Sequence, residues 1–243
     1  MPQIKAISDD SILGKSVWVG NCLQEVFGGT VDSSDIAAAA STWNDLDEDK
    51  YLHDGGRYRR RRYAELAYDA ETDQLTDLGR VEFYQSTAYN KVNGGSRTFS
   101  PIESDLLQSK LLQSILKHFG RRFASELKVK HLELFLHQVR ILAEPGSVGL
   151  PTPEGIHKDG VEFSCQVLFG RNNLSGGESI IYDNDKQPLL AATMLDPLDF
   201  YCFKDADIYH SVTPVASLDG HGIGARDILG IEFCVQRERA ESQ

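Results

Sequence analysis

The sequence predicts a mainly β protein with flanking helices, an α+β fold in which the second half forms a β-sandwich or jelly roll. Short segments of alternating, β-branched or aromatic residues recur in that half, and Gly, Pro, Asn and Asp separate them. The first half contains helical patterns instead. Neither a GxGxxG nor a GxxxxGKS sequence occurs, so the glycine-rich loops of dinucleotide-binding and P-loop folds are missing.

Strands are predicted at six places in the second half, where apolar and polar residues alternate. The segments span residues 132–142, 162–169, 178–182, 198–203, 209–214 and 228–236. No linker or repeat interrupts the chain, so residues 1–243 are predicted to form a single domain. Its parts are a mixed helical and strand region at 1–130 and a β core at 131–237.

Helices are predicted at two places in the first half. Residues 34–43 are rich in alanine, and Ser33 or Ser34 is the expected N-cap. Residues 103–127 carry leucine, isoleucine and phenylalanine at three- and four-residue spacing, which predicts one long amphipathic helix.

Composition and charge exclude several classes of function. The chain has 243 residues, of which 41% are hydrophobic and 25% charged, values typical of globular rather than disordered proteins. The formal net charge is −11, and an acidic surface repels nucleic acid phosphates and anionic lipids. We therefore expect a small-molecule partner, with no nucleic acid and no membrane. A homodimer stays open.

The predicted location is cytoplasmic. No run approaches the ~18 apolar residues of a membrane span, and the start MPQIKAISDD lacks a secretory pattern. The cysteines are scattered without a CxxC pair, which favours reduced thiols, and three of the four lie in apolar runs where they are expected in the core. The four cysteines are Cys22, Cys165, Cys202 and Cys234, and the last three of them are those in apolar runs.

A candidate metal site begins in the stretch PTPEGIHKDG at 151–160. His157 and Asp159 are two residues apart, so on a strand both side chains point to the same face. His210 follows 53 residues after His157, at the edge of an apolar segment. Two histidines and one carboxylate leave other coordination positions open, which suits Fe(II) in oxygen-using enzymes. Taken singly, His157 also fits a histidine in a surface turn, and His210 fits one bonded to backbone at a strand end.

Longer strings in the sequence resemble the Fe(II)/2-oxoglutarate-dependent dioxygenases. Within them, the chain is most similar to the family that includes bacterial L-isoleucine 4-hydroxylase and related free amino-acid hydroxylases. The resemblance covers roughly residues 55–236, and PTPEGIHKDG and GRNNLSGGES are much more specific than HxD…H. The matching segments are RYRRRRYAEL (57–66), NGGSR (93–97), HQVRI (137–141), PTPEGIHKDGVEF (151–163), GRNNLSGGESIIYD (170–183), HSVTPV (210–215) and GARDILGIEF (224–233).

The resemblance implies a double-stranded β-helix core (a cupin-like jelly roll) with N-terminal helices. It implies that His157, Asp159 and His210 hold Fe(II), and that 2-oxoglutarate and O2 are the cosubstrates. Such enzymes need a basic residue for the distal carboxylate of 2-oxoglutarate, and Arg226 follows His210 by 16 residues. The alternative for Arg226 is a surface ion pair with Asp227. The implied substrate is a free L-amino acid with an aliphatic or thioether side chain.

Other polar residues in the matching segments are candidates for binding 2-oxoglutarate or the substrate. Gln138 and Arg140 alternate with apolar neighbours in a predicted strand, so they either face solvent or line the pocket, Gln138 toward 2-oxoglutarate and Arg140 toward the substrate. Tyr89, Asn90 and Arg97 either line the pocket or a lid, or belong to a plain loop.

Five arginines, Arg57 and Arg59 to Arg62, lie close together and mostly predict a solvated basic face. One or two of them, Arg59 in particular, are candidates for anchoring a substrate carboxylate. The remaining histidines, His53, His118, His131 and His221, have no partner spacing and are expected to be structural or exposed.

Two alternatives accompany the prediction of an amino-acid hydroxylase. The first is the same chemistry on another small acid, such as an acylated amino acid. The second is a metal-binding β-helix protein without turnover, acting as a sensor or a binding protein.

Overall fold

The computed structural model describes residues 3–6, 15–89 and 94–235. Its helices are α1 (Cys22–Glu25), α2 (Ser33–Ser41), α3 (Ser104–Gln108) and α4 (Lys110–Leu127), with 3-10 turns at Thr42–Asp45 and Asp205–Asp207. Its strands are β1 (Gln3–Ala6), β2 (Val17–Asn21), β3 (Arg59–Asp69), β4 (Gln74–Asp77), β5 (Glu82–Gln85), β6 (Gly95–Thr98), β7 (His131–Ala143), β8 (Val148–Gly149), β9 (Phe163–Asn172), β10 (Leu174–Gly176), β11 (Ser179–Tyr182), β12 (Pro188–Thr193), β13 (Asp199–Lys204), β14 (Tyr209–Val212), β15 (Val215–Ser217) and β16 (Gly224–Cys234).

The strands form two facing layers of antiparallel sheet. One layer has the order β2-β13-β9-β16-β7-β3-β4, and the other has the order β1-β12-β11-β14. Two smaller sheets, β10-β15-β8 and β5-β6, complete the described strands. Apolar side chains of both layers meet between them, including Leu168 and Phe203 from the larger sheet and Ile181 and Leu190 from the smaller one. This is a jelly-roll core with flanking helices, so the predicted fold class is confirmed. None of the helices in the described ranges is long and apolar enough to cross a bilayer.

Helix α4 covers the outer face of the larger sheet. Its apolar stripe places Phe123 flat against Phe163 of β9, with ring centroids 4.2 Å apart, and edge-on to Phe233 of β16 at 4.9 Å. Burying each such side chain contributes about 1.5–3 kcal/mol. The helix layer therefore occupies one face of the sheet, and the opposite face of the same strands lines the interior of the jelly roll.

The two predicted helices differ from the observed ones in detail. The segment 103–127 is two helices, because Ser109 is extended (φ −60°, ψ 138°) and its side chain accepts a hydrogen bond from the Leu112 N–H at 3.2 Å, capping α4. The alanine-rich helix begins after Asp32, whose carboxylate accepts from the Ser34 N–H at 2.8 Å. Asp32 is therefore the N-cap, not Ser33 or Ser34.

All six predicted strands are present with shifted ends, but several observed strands were not predicted. The longest of these is β3, which pairs with β7 over Arg59–Asp69 in the interior of the larger sheet. Its four consecutive arginines gave no apolar alternation to indicate a strand. β16 begins at Gly224, so Arg226 lies inside a strand. All four cysteines are buried and free, as expected for core residues.

Candidate active site

A two-residue bridge between backbones brings His157 and His210 together. The loop that precedes β9 meets β14 there, and each histidine N–H donates to the carbonyl of the other at 3.0 Å. Their ring centroids lie 4.1 Å apart. His157 is thus in an isolated bridge rather than in a regular strand, and the convergence with Asp159 comes from the loop that follows.

The three predicted ligands can hold a single metal ion. The Oδ1 atom of Asp159 lies 3.5 Å from Nε2 of His157 and 3.8 Å from Nε2 of His210, and the three ligand atoms lie within 4.8 Å of one another. Ligand atoms about 2.0–2.2 Å from a common ion are separated by roughly 3–4 Å. The observed separations are compatible with such an ion, so the donor set fits Fe(II).

Backbone contacts fix the orientation of the ligands. Nδ1 of His157 donates to the Gly155 carbonyl oxygen at 2.9 Å, so Nε2 is the ring nitrogen that faces the other two candidate ligands. Asp205 accepts hydrogen bonds from the N–H groups of Asp159 at 2.8 Å, Gly160 at 2.9 Å and Val161 at 3.4 Å. Asp205 is 2% exposed and holds the loop that presents Asp159.

The electrostatics of the group favour metal binding. Burial, then the charge of His157, lowers the pKa of His210 to about 3, so its imidazole is neutral. Burial alone would lower the pKa of His157, but Asp159 outweighs it and raises the pKa to about 9. Burial raises the pKa of Asp159, yet the imidazoles of His210 and His157 hold it well below the usual range. A metal ion would replace the proton of His157 as the partner of the carboxylate.

Arg226 lies in the same cavity as the three ligands. It is 5% exposed on β16 and forms no ion pair with any described residue, and burial, followed by the charge of Arg171, lowers its pKa to about 10. The alternative pairing with Asp227 is wrong, because Asp227 accepts two hydrogen bonds from Arg140 at 2.6 and 2.8 Å. Gly177, with φ +73°, passes so close that an added Cβ would lie 3.4 Å from Cδ of Arg226.

Three further arginines line another part of the cavity, and we call Arg59, Arg61 and Arg97 the arginine wall. Arg59 pairs with Asp49 at 2.7 Å, and Arg61 donates to Nδ1 of His137.

The aromatic ring of Phe83 contacts two members of the arginine wall. The guanidinium carbons of Arg61 and Arg97 lie 5.3 and 4.7 Å from its centroid. Burial, then neighbouring arginines, lowers the pKa of Arg61 to about 9 and that of Arg97 to about 10, so both are cationic at neutral pH. An anionic ligand would stabilise this cluster.

Sequence comparison assigns the family. The family model for 2OG-Fe dioxygenases matches residues 40–232. This chain belongs to the 2OG-Fe dioxygenase family. These enzymes use Fe(II), 2-oxoglutarate and O2, and the cluster of His157, Asp159 and His210 is the candidate iron site of this dioxygenase.

Individual relatives agree with the assignment. The dioxygenase is 27% identical over 205 residues to L-isoleucine-4-hydroxylase of Bacillus thuringiensis, covering 82% of each chain. Its structure is similar to that of a BsmA homologue from Methylobium petroleophilum (TM-score 0.84, 27% identity, 95% and 93% of the two chains). It has the same fold as IDO from Bacillus thuringiensis (TM-score 0.73, 22% identity, 93% of each chain).

Two of the predicted binding residues of the dioxygenase point away from the cavity. Gln138 donates to Oγ1 of Thr42 at 2.8 Å, and Arg140 donates to Asp227 and to Asn44 at 3.1 Å, on the helix-covered face of β7. The expectation that they line the pocket is wrong, because they continue the alternation that sends Leu132, Leu134 and Leu136 into the helix layer. His137, Val139 and Ile141 line the cavity instead.

The arginine-rich segment is mostly buried, which corrects the prediction of a solvated basic face. Along β3, Arg59 and Arg61 point into the cavity, whereas Arg62 points to the helix side and pairs with Glu103 at 2.5 Å. Only Arg57 and Arg60 fit the prediction, with 80% and 34% of their side chains exposed. Strand periodicity separates the run into two faces.

Of the candidate residues in the segment 89–97, Arg97 lines the cavity and Tyr89 does not. Arg97 lies in the cavity and donates to Oε1 of Gln85 at 3.1 Å, and Gln85 in turn donates to the carbonyl oxygen of Asp159 at 3.2 Å. Tyr89 is 48% exposed, lies against Gly160 and does not line the cavity. Asn90 lies outside the described residues.

The sequence analysis missed several residues that line the cavity. Glu154 stands inside the PTPEGIHKDG string, three residues before the first ligand, and Arg61 shares the alternation of Arg59, so both carried a signal. Phe83 and Glu232 carried none, because nothing in their local sequence distinguishes them from core or surface positions.

Proposed function

We propose that this dioxygenase hydroxylates a free L-amino acid with an aliphatic or thioether side chain, with succinate and CO2 as co-products. The observation that carries the proposal is one cavity that contains three candidate metal ligands, a buried arginine without an ion pair among the described residues, and a second cationic wall. The two cationic regions match two separate carboxylates, one from 2-oxoglutarate and one from the substrate. The similarity to L-isoleucine-4-hydroxylase supports an amino acid as that substrate.

Each residue has a distinct role in the proposal. His157, Asp159 and His210 hold Fe(II), which when bound supplies the oxidation of an unactivated C–H bond. Arg226 binds the distal carboxylate of 2-oxoglutarate through two parallel hydrogen bonds. Arg97, with its neighbours Arg59 and Arg61, binds the substrate carboxylate.

The aliphatic part of the substrate fits the apolar members of the cavity. Val139 and Ile141 of β7, Ile228 of β16 and Val212 of β14 line it beside the metal ligands. Such side chains exclude water from the reacting carbon and contribute about 0.8 kcal/mol for each buried methylene.

Anaerobic reconstitution with Fe(II) followed by exposure to air tests the proposal. The protein is incubated with 2-oxoglutarate and a pool of the twenty L-amino acids, and products are identified by mass spectrometry. A product heavier by one oxygen atom that requires 2-oxoglutarate supports the proposal and names the substrate. Succinate without an oxidised amino acid would indicate that the substrate is another small acid. If neither succinate nor an oxidised amino acid forms, the result would favour a non-catalytic metal-binding protein.

Two variants test the residue roles. His157→Ala should abolish turnover, because it removes one of three ligands. Arg226→Ala should raise the KM for 2-oxoglutarate about 10-fold or more while the KM for the amino acid changes little, since a charged hydrogen bond is worth about 1.5–3 kcal/mol. Equal effects on both constants would remove Arg226 from the assigned role.

A further inference from the structure

A carboxylate whose only cationic partner among the described residues is the candidate ligand His157 lies in the wall of the cavity. Glu154 belongs to the loop between β8 and His157, and its side chain is 14% exposed. Its Oε2 atom is buried and accepts no hydrogen bond from the described residues. Its Oε1 atom lies 3.4 Å from Nε2 of His157. Burying a carboxylate oxygen without a hydrogen-bond donor is unfavourable, so a charged donor beside Oε2 would stabilise Glu154.

The contact with His157 involves only Oε1 and leaves Oε2 of Glu154 without a hydrogen-bond donor among the described residues. No lysine or arginine nitrogen among the described residues is within ion-pair distance of Glu154, although Arg97 is near enough to feel its charge. A hydrogen-bond donor for the buried Oε2 atom is therefore left to a molecule bound in the cavity.

Glu154 does not fit the role of a fourth metal ligand. The cluster of ligand atoms that lie within 4.8 Å of one another contains His157, Asp159 and His210, and Glu154 is not part of it. Asp159 already supplies the carboxylate of that cluster. The Glu154 carboxylate thus borders the metal site and faces the same cavity as the arginine wall.

The cavity therefore offers an anionic group beside the metal site and a cationic wall elsewhere in its lining. This distribution matches the two charges of an amino acid, with the α-carboxylate at Arg61 and Arg97 and the α-ammonium at Glu154. An acylated amino acid lacks the ammonium charge and would leave Glu154 buried without a partner. A simple carboxylic acid would do the same.

We infer that Glu154 binds the α-ammonium group of the substrate and restricts this dioxygenase to amino acids with an unblocked amino group. The inference rests on the proposed function, and it adds the residue that distinguishes a free amino acid from its acylated and deaminated analogues.

The test compares Glu154→Gln with wild type and with Glu144→Gln, the same change at an exposed position. Protein loaded with Co(II) and 2-oxoglutarate is titrated with the amino acid that turns over best, with its N-acetyl derivative and with the carboxylic acid of the same carbon skeleton. Co(II) affinity is measured separately for each variant. The oxidation of the three compounds by Fe(II)-loaded protein is followed in parallel.

Wild type and Glu144→Gln should bind the free amino acid at least 10-fold more tightly than either analogue. Glu154→Gln should lose about 10- to 100-fold in affinity for the amino acid, the effect of one charged hydrogen bond, and bind the analogues as wild type does. The preference for a free amino group should therefore disappear in this variant alone.

Three results would overturn the inference. Wild-type protein that binds the analogues as tightly as the amino acid has no ammonium site. An unchanged preference in Glu154→Gln would place that site elsewhere. A loss of Co(II) affinity equal to the loss of amino-acid affinity would make Glu154 a residue of the metal site. Failure of the proposed function looks different, because wild type would then oxidise none of the amino acids.

Discussion

The substitution Asp205→Asn probes how the fold holds the metal-binding loop. The Asp205 carboxylate accepts from the Asp159 and Gly160 N–H groups at 2.8 and 2.9 Å, and both hydrogen bonds are partly buried. An asparagine keeps one acceptor oxygen and turns an NH2 group toward the other donor. One hydrogen bond is thus lost and one N–H is left without a partner, which costs about 1–3 kcal/mol.

The loss of stability should fall at the lower end of that range in metal-free protein. Burial, then the charge of Asp159, raises the pKa of Asp205 to about 7, so the neutral side chain also relieves a repulsion. Asp205→Ala loses both strong hydrogen bonds and should cost about 2–6 kcal/mol. Metal affinity should fall about 10- to 100-fold in both variants, because changes beside a ligand misalign it.

Urea unfolding and Co(II) titration by calorimetry measure the two effects. Asp207→Asn is the matched control, because Asp207 is exposed in the same 3-10 turn and, within the described ranges, its side chain accepts only from Oγ of Ser16, at 2.7 Å. Equal Co(II) affinities for the variants at positions 205 and 207 would refute the idea that Asp205 positions Asp159.

Three further predictions concern the second face of the sheet, the turns and the metal site. Arg140→Ala should lower the free energy of unfolding by about 3–5 kcal/mol, because it removes the ion-pair partner of Asp227, whose side chain is only 8% exposed. The KM for 2-oxoglutarate should stay unchanged, and a raised KM would indicate that Arg140 lies in the cavity. Gly176→Ala should lower the melting temperature more than Gly220→Ala does. Both glycines have φ near +70°, but only at Gly176 would an added Cβ overlap a backbone carbonyl oxygen. Equal losses would mean that backbone strain alone sets the cost. Co(II) affinity should rise about tenfold per pH unit from about pH 6 to 9, because the raised pKa of His157 means that binding displaces a proton in this range; affinity independent of pH would contradict it.

Local patterns in the sequence were sufficient for six strands of the fold and for the three residues of the candidate iron site. Alternation reports one-sided burial, which is a property of a few consecutive residues, so the six predicted strands are present. The spacing of His157 and Asp159 put two ligands in one short loop. The pairing with His210 required the backbone bridge, although the sequence already indicated the right residue.

The tertiary structure decided which face of each strand meets the cavity. Period-two alternation divides the side chains of β7 between two faces, and both faces carry polar residues. Gln138 and Arg140 were therefore assigned to the cavity face, although they lie on the opposite one, and His137 on the cavity face was overlooked. The helix layer covers the face that carries Gln138, and no local pattern contains that information.

The arginine run shows the same division between local and tertiary information. Its charge alone predicted exposure, whereas pairing with β7 in the middle of the sheet buries Arg59, Arg61 and Arg62 and sends them to opposite faces. Their stability depends on partners far away in sequence, such as Glu103 and His137. The sequence by itself therefore determined six of the strands, the candidate metal ligands and the family. Only the packing of sheet against helices decided which charges enter the cavity, because burial of a charge depends on partners that distant segments supply.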